Sequence, residues 1–196
     1  MQFDNHIYIA FNKPFNVLSQ FTSEDGKATL ASFIKTKNDV YPIGRLDYDS
    51  EGLLLLTNDP KLKENLINPK YNHEREYLVF AEGVPTKEAL ARFRRGLTIQ
   101  DYRTKPAQIE IISAPDWLNE RIPPPRVYET KKYSWLKIIL TEGKNRQVRK
   151  MTAAIGHPTL RLVRKRIMTI TFPDLKPGTA RFITPDEIRK IMVNCK

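Results

Sequence analysis

Apolar and polar positions along the chain fall into short blocks whose period switches between two and about 3.6 residues, the signature of strands mixed with helices. His6 to Phe11 reads as a strand entering the Asn12-Lys13-Pro14 turn, and Val17 to Phe21 is expected to pair with it. Thr29 to Ile34 is a short helix candidate. Leu53 to Leu56 are four consecutive leucines bounded by turn signals, which predicts a strand covered on both faces. Asn58 or Asp59 then caps a helix with Pro60 at its first position, and the helix stops before Pro69. Tyr77 to Ala81 is a strand, and Thr86 to Arg95 an amphipathic helix with Leu90 and Phe93 inward and Gly96 as its stop.

Gln108 to Ile112 is a further strand, whereas Pro115 to Tyr133 has no period and must be a loop. Pro123, Pro124 and Pro125, flanked by Arg121 and Arg126, stiffen it into an ordered insertion. Trp135 to Leu140 alternates as a strand, Asn145 to Ile155 forms a helix closed by Gly156, and Thr159 to Ile170 holds one or two strands. Thr184, Pro185 and Glu187 form a capping box that opens a last helix to about Val193. Strands outnumber helices and many connections are tight, so the pattern predicts an α+β fold: a mixed, mostly antiparallel sheet flanked by helices.

Composition narrows the class. A chain of 196 residues with 40% hydrophobic residues can bury a core as one domain of two lobes or as two small domains. No apolar run approaches twenty residues and no basic-then-apolar leader follows Met1, so neither membrane spanning nor export is expected. The lone Cys195 has no internal disulfide partner, which points to an intracellular, cytoplasmic protein. The net charge of +11 is uneven: from Lys131 to Arg166 there are eleven lysines and arginines and one acid, Glu142. Such a field attracts polyanions; a solvated basic face is the plain alternative.

The chemistry centres on YPIGRLDYDSEGLLLLTND, Tyr41 to Asp59, which sets Asp47 beside Arg45 at the mouth of a glycine-bounded turn running into the leucine strand. Asp47, Asp49, Glu51 and Gly52 fall at the first, third, fifth and sixth positions of a calcium loop, but its last position is Asn58 and its middle is apolar. His6, His73, His157 and Cys195 have no zinc-ligand spacing. Asp49 is a second acid for glycosidase-type chemistry, and a simple Asp47–Arg45 salt bridge also fits the segment alone.

Three more segments join it: FNKPFNVLSQF (Phe11 to Phe21), REYLVFAEG (Arg75 to Gly83) and EGKNRQVRKMTAAIGHPTLRLVRKRI (Glu142 to Ile167). With GRLDYDSEGLLLLTND they run in the order found in the RsuA-type family of pseudouridine synthases. The whole chain resembles that family, and most closely its short members without an N-terminal S4 domain, such as one acting on large-subunit ribosomal RNA.

The resemblance implies a single catalytic domain over residues 1–196, with two lobes and the active-site cleft between them. It implies an isomerase that converts a uridine of ribosomal RNA to pseudouridine after flipping the base out of its stack. Asp47 would be the nucleophile, Arg149 its charge partner, and Tyr77 the residue that stacks on the base and removes a proton from carbon. Arg45 would support the pair, and Leu162 would line the uracil pocket, though it also reads as a plain core residue. Lys13, Lys144, Arg146, Arg161 and Arg164 are the candidates for RNA backbone contacts, and Asp49 and Glu51 become turn residues. No step calls for a metal or cofactor, and a monomer is expected. The family often has glycine where this chain has Met168, which leaves that turn open. A non-catalytic RNA-binding ribosome-assembly factor of the same fold is the alternative.

Overall fold

The computed structural model describes residues 6–23, 25–172 and 175–193; Cys195 lies outside them. Eleven strands are described: β1 (Tyr8–Lys13), β2 (Tyr41–Pro42), β3 (Glu51–Thr57), β4 (Arg75–Glu82), β5 (Thr98–Ile99), β6 (Tyr102–Arg103), β7 (Gln108–Ile112), β8 (Tyr133–Leu140), β9 (Thr159–Ile167), β10 (Ile170–Thr171) and β11 (Ala180–Phe182). Four α-helices join them: α1 (Pro60–Ile67), α2 (Lys87–Arg94), α3 (Gln147–Ala154) and α4 (Pro185–Val193). The main sheet runs β11-β1-β3-β9-β4-β8-β7, with β2 beside β3 and β10 beside β9, while β5 and β6 form a separate hairpin. Every pairing is antiparallel except β3 with β9, which pair in parallel only at Glu51–Val163 and Gly52–Arg164. The mixed, mostly antiparallel α+β fold is therefore as the sequence pattern indicates.

The leucine run does what its pattern requires. Leu53 and Leu55 face one core with Leu62 and Leu66 of α1 and Ile188 and Ile191 of α4. Leu54 and Leu56 face the opposite core with Phe11, Leu30, Ile34 and Val40. All four are at most 1% exposed, and burial at this level stabilises by about 2 kcal/mol for each side chain. Beyond β9, the alternation of β8 buries Leu136, Ile138 and Leu140 against Phe93 of α2 and Val148 and Met151 of α3. The first core continues across the short parallel seam between β3 and β9 to Val163 and Ile167 of β9 and Leu78 of β4.

Caps fall where the sequence marks them. The Asp59 carboxylate accepts from Lys61 N and Leu62 N ahead of Pro60, and Thr184 and Glu187 exchange the two bonds of a capping box. Two expectations change. Thr29 to Ile34 shortens to a 3-10 turn at Leu30–Ser32. Val17 to Phe21 does not pair with β1; it makes one isolated bridge, Leu18 to Thr29, because β11 occupies that edge of β1. Met168 adopts φ 50, so the turn keeps the left-handed geometry that glycine suits, held by Met168 N to Glu74 O at 2.8 Å.

The proline segment carries no strand or helix, yet it packs: Trp117 meets Phe172 edge-on, and the Arg121 guanidinium lies 4.2 Å from the Phe15 ring centre. Among the described residues no helix is long and apolar enough to cross a membrane.

Candidate active site

Asp47 sits on the turn between β2 and β3, and the chain around it is clamped from the first motif. Ser19 Oγ donates to Leu46 O at 2.7 Å and accepts from Leu46 N at 3.1 Å. Asn16 N donates to Tyr48 O at 3.0 Å, and Ser50 N closes the turn onto Asp47 O at 3.0 Å. Leu46 and Tyr48, on either side of Asp47, are thus fixed by the Ser19 hydroxyl and the Asn16 amide of a segment well upstream in sequence. This explains why FNKPFNVLSQF accompanies GRLD.

Asp47 opens onto a pocket of about 390 Å3 whose walls include Arg45, Tyr77, Lys144, Arg146, Leu162 and Arg164. Seven of the ten residues singled out from the sequence meet there. Tyr77 of β4 and Leu162 of β9 are 8% and 5% exposed and lend their faces to both the pocket and the second core, so both readings of Leu162 hold at once. Arg164 is buried beneath the floor, donating Nε to Leu53 O at 2.8 Å and interacting with the Tyr77 hydroxyl. Burial lowers its pKa below the usual arginine range.

Arginine partners divide differently from the expectation that Arg149 faces Asp47. Arg146 Nη1 reaches Asp47 Oδ2 at 3.4 Å, and the same guanidinium grips Asp49 through bonds of 3.0 and 2.8 Å. Arg149 instead donates Nη2 to Asp49 O at 2.7 Å and approaches its carboxylate at 3.3 Å. The cause is the start of α3. Arg146 takes a left-handed φ of 50 at the N-cap, which swings it over both carboxylates, while Arg149, one turn in, meets the backbone of the turn at Asp49. Gln147 sets this loop: its Oε1 accepts from Lys144 N, and its Nε2 donates to the buried Glu142.

Asp49 is therefore a network residue that the sequence reading passed over as part of a turn. Burial pushes its carboxyl pKa up, but the bonds from Arg146 and the charges of Arg149 and Arg146 outweigh this and hold it lowered. A carboxyl held in its charged form by two guanidiniums makes a poor proton donor, which removes the glycosidase pair. Glu51, the fifth position of the supposed calcium loop, is committed elsewhere: it is buried and takes both Nε and Nη2 of Arg161 at 2.9 and 2.8 Å.

Three proposed RNA-contact residues are interior ones. Arg161 is 6% exposed and also donates to Asn119 O of the proline segment; Arg164 is covered as described. Lys13 has no exposure at all, and its ammonium donates to Pro14 O and Val17 O at 2.9 and 2.7 Å. Burial lowers its pKa to about 7, opposed by the charges of Glu51, Asp49 and Asp47. Lys144, Arg146 and Arg45 stay exposed at the pocket mouth. More broadly, seven of the eleven cations of the basic segment meet a carboxylate in the fold. Its field is much weaker than the count along the chain implies.

The family profile for RNA pseudouridylate synthase matches residues 7–154. A ribosomal large subunit pseudouridine synthase E of Vibrio parahaemolyticus is 50% identical over 175 residues, covering 89% of this chain and 72% of the relative. The protein of the same name from Xanthomonas campestris is 44% identical, covering 88% and 93%. A crystal structure of a pseudouridylate synthase superposes with a TM-score of 0.78 at 27% identity, over 95% of this chain and 74% of the other.

Proposed function

The chain belongs to the RNA pseudouridylate synthase family, and on that premise we propose that it isomerises a uridine of large-subunit ribosomal RNA, with Asp47 as the attacking carboxylate. The observation that carries this reading is the pocket itself. A carboxylate stands at the mouth of a cavity of about 390 Å3 floored by Tyr77, Leu162 and Arg164. The cavity is of a size for one base flipped out of its stack, with an aromatic face to receive it. A protein that merely held RNA would gain nothing from a carboxylate at that point, because it repels phosphate.

In the proposed reaction the bond from the ribose carbon to N1 of uracil breaks and a bond from that carbon to C5 forms. The hydrogen on C5 leaves as a proton and N1 takes one up, so the nucleotide keeps its atoms and no electrons are gained or lost. Arg146 and Arg149 hold the turn that carries Asp47, through the two carboxylates and the carbonyl of Asp49. Tyr77, with its hydroxyl against Arg164, is placed to stack on the base and accept the C5 proton. Nothing in these steps calls on a metal ion or cofactor. The named function of the close relatives supports large-subunit RNA as the target, with a cytoplasmic monomer as the working form.

The test is to incubate the protein with ribosomal RNA from a strain lacking the activity and to map pseudouridine by carbodiimide-dependent stops of reverse transcription. A stop that appears with the wild type and vanishes with Asp47→Asn is the expected result. Product formation by Asp47→Ala would refute the nucleophile, and tight binding without any new stop would point to a non-catalytic binder.

A further inference from the structure

Next to the catalytic pocket, and sharing Gly44, Arg45 and Ile67 with it, runs a wider groove of about 970 Å3. Its walls come from the segment after β1, the 3-10 turn and its exit, β2, and α1. Four of its lining residues are cations, Lys35, Lys37, Arg45 and Lys63, and none is a carboxylate. Among the described residues Lys35, Lys37 and Lys63 have no ion pair. They differ in this from the basic segment, where most cations are neutralised within the fold.

The groove also offers flat apolar surface. Tyr41, on the short edge strand β2, is 54% exposed, and the Lys63 ammonium lies 5.6 Å from its ring centre. Phe21 adds a half-buried ring on the same lining. An exposed ring beside lysines on flexible stems suits a chain that presents both base faces and phosphates. Unpaired RNA does so, whereas a duplex hides its base faces in the stack.

We propose that this groove binds the unpaired RNA segment adjoining the target nucleotide, with Tyr41 stacking on a base and Lys35, Lys37 and Lys63 meeting successive phosphates. The proposal rests on the reading of the neighbouring pocket as the uridine site. Continuity fixes the occupant: a strand whose uridine enters the pocket passes Arg45 and Ile67 and must leave along one side, and this opening carries charge opposite to its own. The contacts are non-specific in chemistry, so the groove would add affinity and set how far from a helix the target must lie. It would not read base identity.

Fluorescence anisotropy of the full chain separates the groove from the pocket, using an oligouridylate of about twelve nucleotides and a trinucleotide that reaches only the pocket. Tyr41→Ala should raise Kd for the longer strand about tenfold or more, with Tyr41→Phe restoring it and the trinucleotide unaffected. In a combined Lys35→Ala, Lys37→Ala, Lys63→Ala variant, the slope of log K against log salt should shrink by roughly two, at about 0.7 for each lost phosphate contact on a single strand. Unchanged affinity and slope for the longer strand would overturn the groove, as would equal losses on both strands. These readouts need no turnover. If the wild type forms no pseudouridine while these effects hold, the uridine reading fails and the groove stands; if Asp47→Asn abolishes product while the groove variants bind normally, the reverse is true.

Discussion

Glu51 and Arg161 make a sharp test, because the fold gives them a role opposite to the one their charges suggest. Their side chains are 8% and 7% exposed and face each other through two charge-assisted bonds of 2.9 and 2.8 Å. Arg161 also holds Asn119 O, so the pair ties the end of the Asp47 turn to β9 and to the proline segment. Glu51→Ala leaves a guanidinium in the interior that cannot shed its charge, and it removes a counter-charge from the buried Lys13. Breaking one side of a buried pair costs about 3–5 kcal/mol, which for a domain of this size lowers Tm by roughly 6–20 °C. Replacing both partners with apolar residues, as in Glu51→Leu with Arg161→Met, should cost less than either single truncation. Urea unfolding of the four proteins at neutral pH measures this, with the salt dependence of RNA binding measured in parallel. If Arg161→Met unfolds like the wild type but loses RNA affinity and salt slope, Arg161 is a phosphate contact and the buried-bridge reasoning fails. Additive losses in the double variant would fail it too.

Two further perturbations probe other joints. Lys13 is held near pKa 7 against 10.5 for the free side chain, so below pH 7 the folded state carries the full cost of a buried ammonium. Between pH 7 and 10.5 the unfolded chain binds more protons, and stability should climb by an amount on the order of a few kcal/mol; the wild-type minus Lys13→Met difference in urea midpoints from pH 6.5 to 9.5 measures it, and a flat difference would contradict it. Gly52 has φ 102, and a Cβ there would lie 2.4 Å from Arg164 O. Gly52→Ala should therefore part β3 from β9 and cost about 3 kcal/mol or more, whereas a wild-type Tm would show that the parallel seam tolerates displacement.

What the sequence revealed were features whose physics is local. The leucine run, the Asp59 cap with Pro60, the Thr184 box and the strict alternation of β8 each follow from neighbours a few residues apart. The strands β2, β5 and β6 are two residues long and β11 three, too short to show a period, so they left no signal. Val17 to Phe21 looks like a strand because it is apolar at alternate places, but Val17 is buried beside the Lys13 ammonium that its carbonyl accepts. Charge was hardest to read. Glu51 lies 110 residues from Arg161, and Glu76 lies 90 from Arg166, so a count along the chain registered the cations of residues 131–166 and missed the acids that the sheet lays beside them.

That pairing separates two kinds of cation. Interior ones hold the turn that carries Asp47: Arg149 through the carbonyl of Asp49, Arg161 through Glu51, and Lys13 through Val17 O with a longer reach of 3.5 Å to Tyr48 O. Each is desolvated, so losing it disturbs the position of Asp47 and the stability of the fold together. Exposed ones face solvent at the pocket mouth and along the groove, where the cost of holding a charge is small and phosphate is the natural counter-ion. Arg146 belongs to both sets: it bridges Asp47 and Asp49 while its side chain remains 41% exposed. A phosphate arriving at the mouth competes with Asp47 for that guanidinium at 3.4 Å, the weakest of its three bonds. The shorter bonds to Asp49 keep Arg146 in place as the longer one is given up, so in the proposed reaction a phosphate at the mouth would free the Asp47 carboxylate without loosening the turn that carries it.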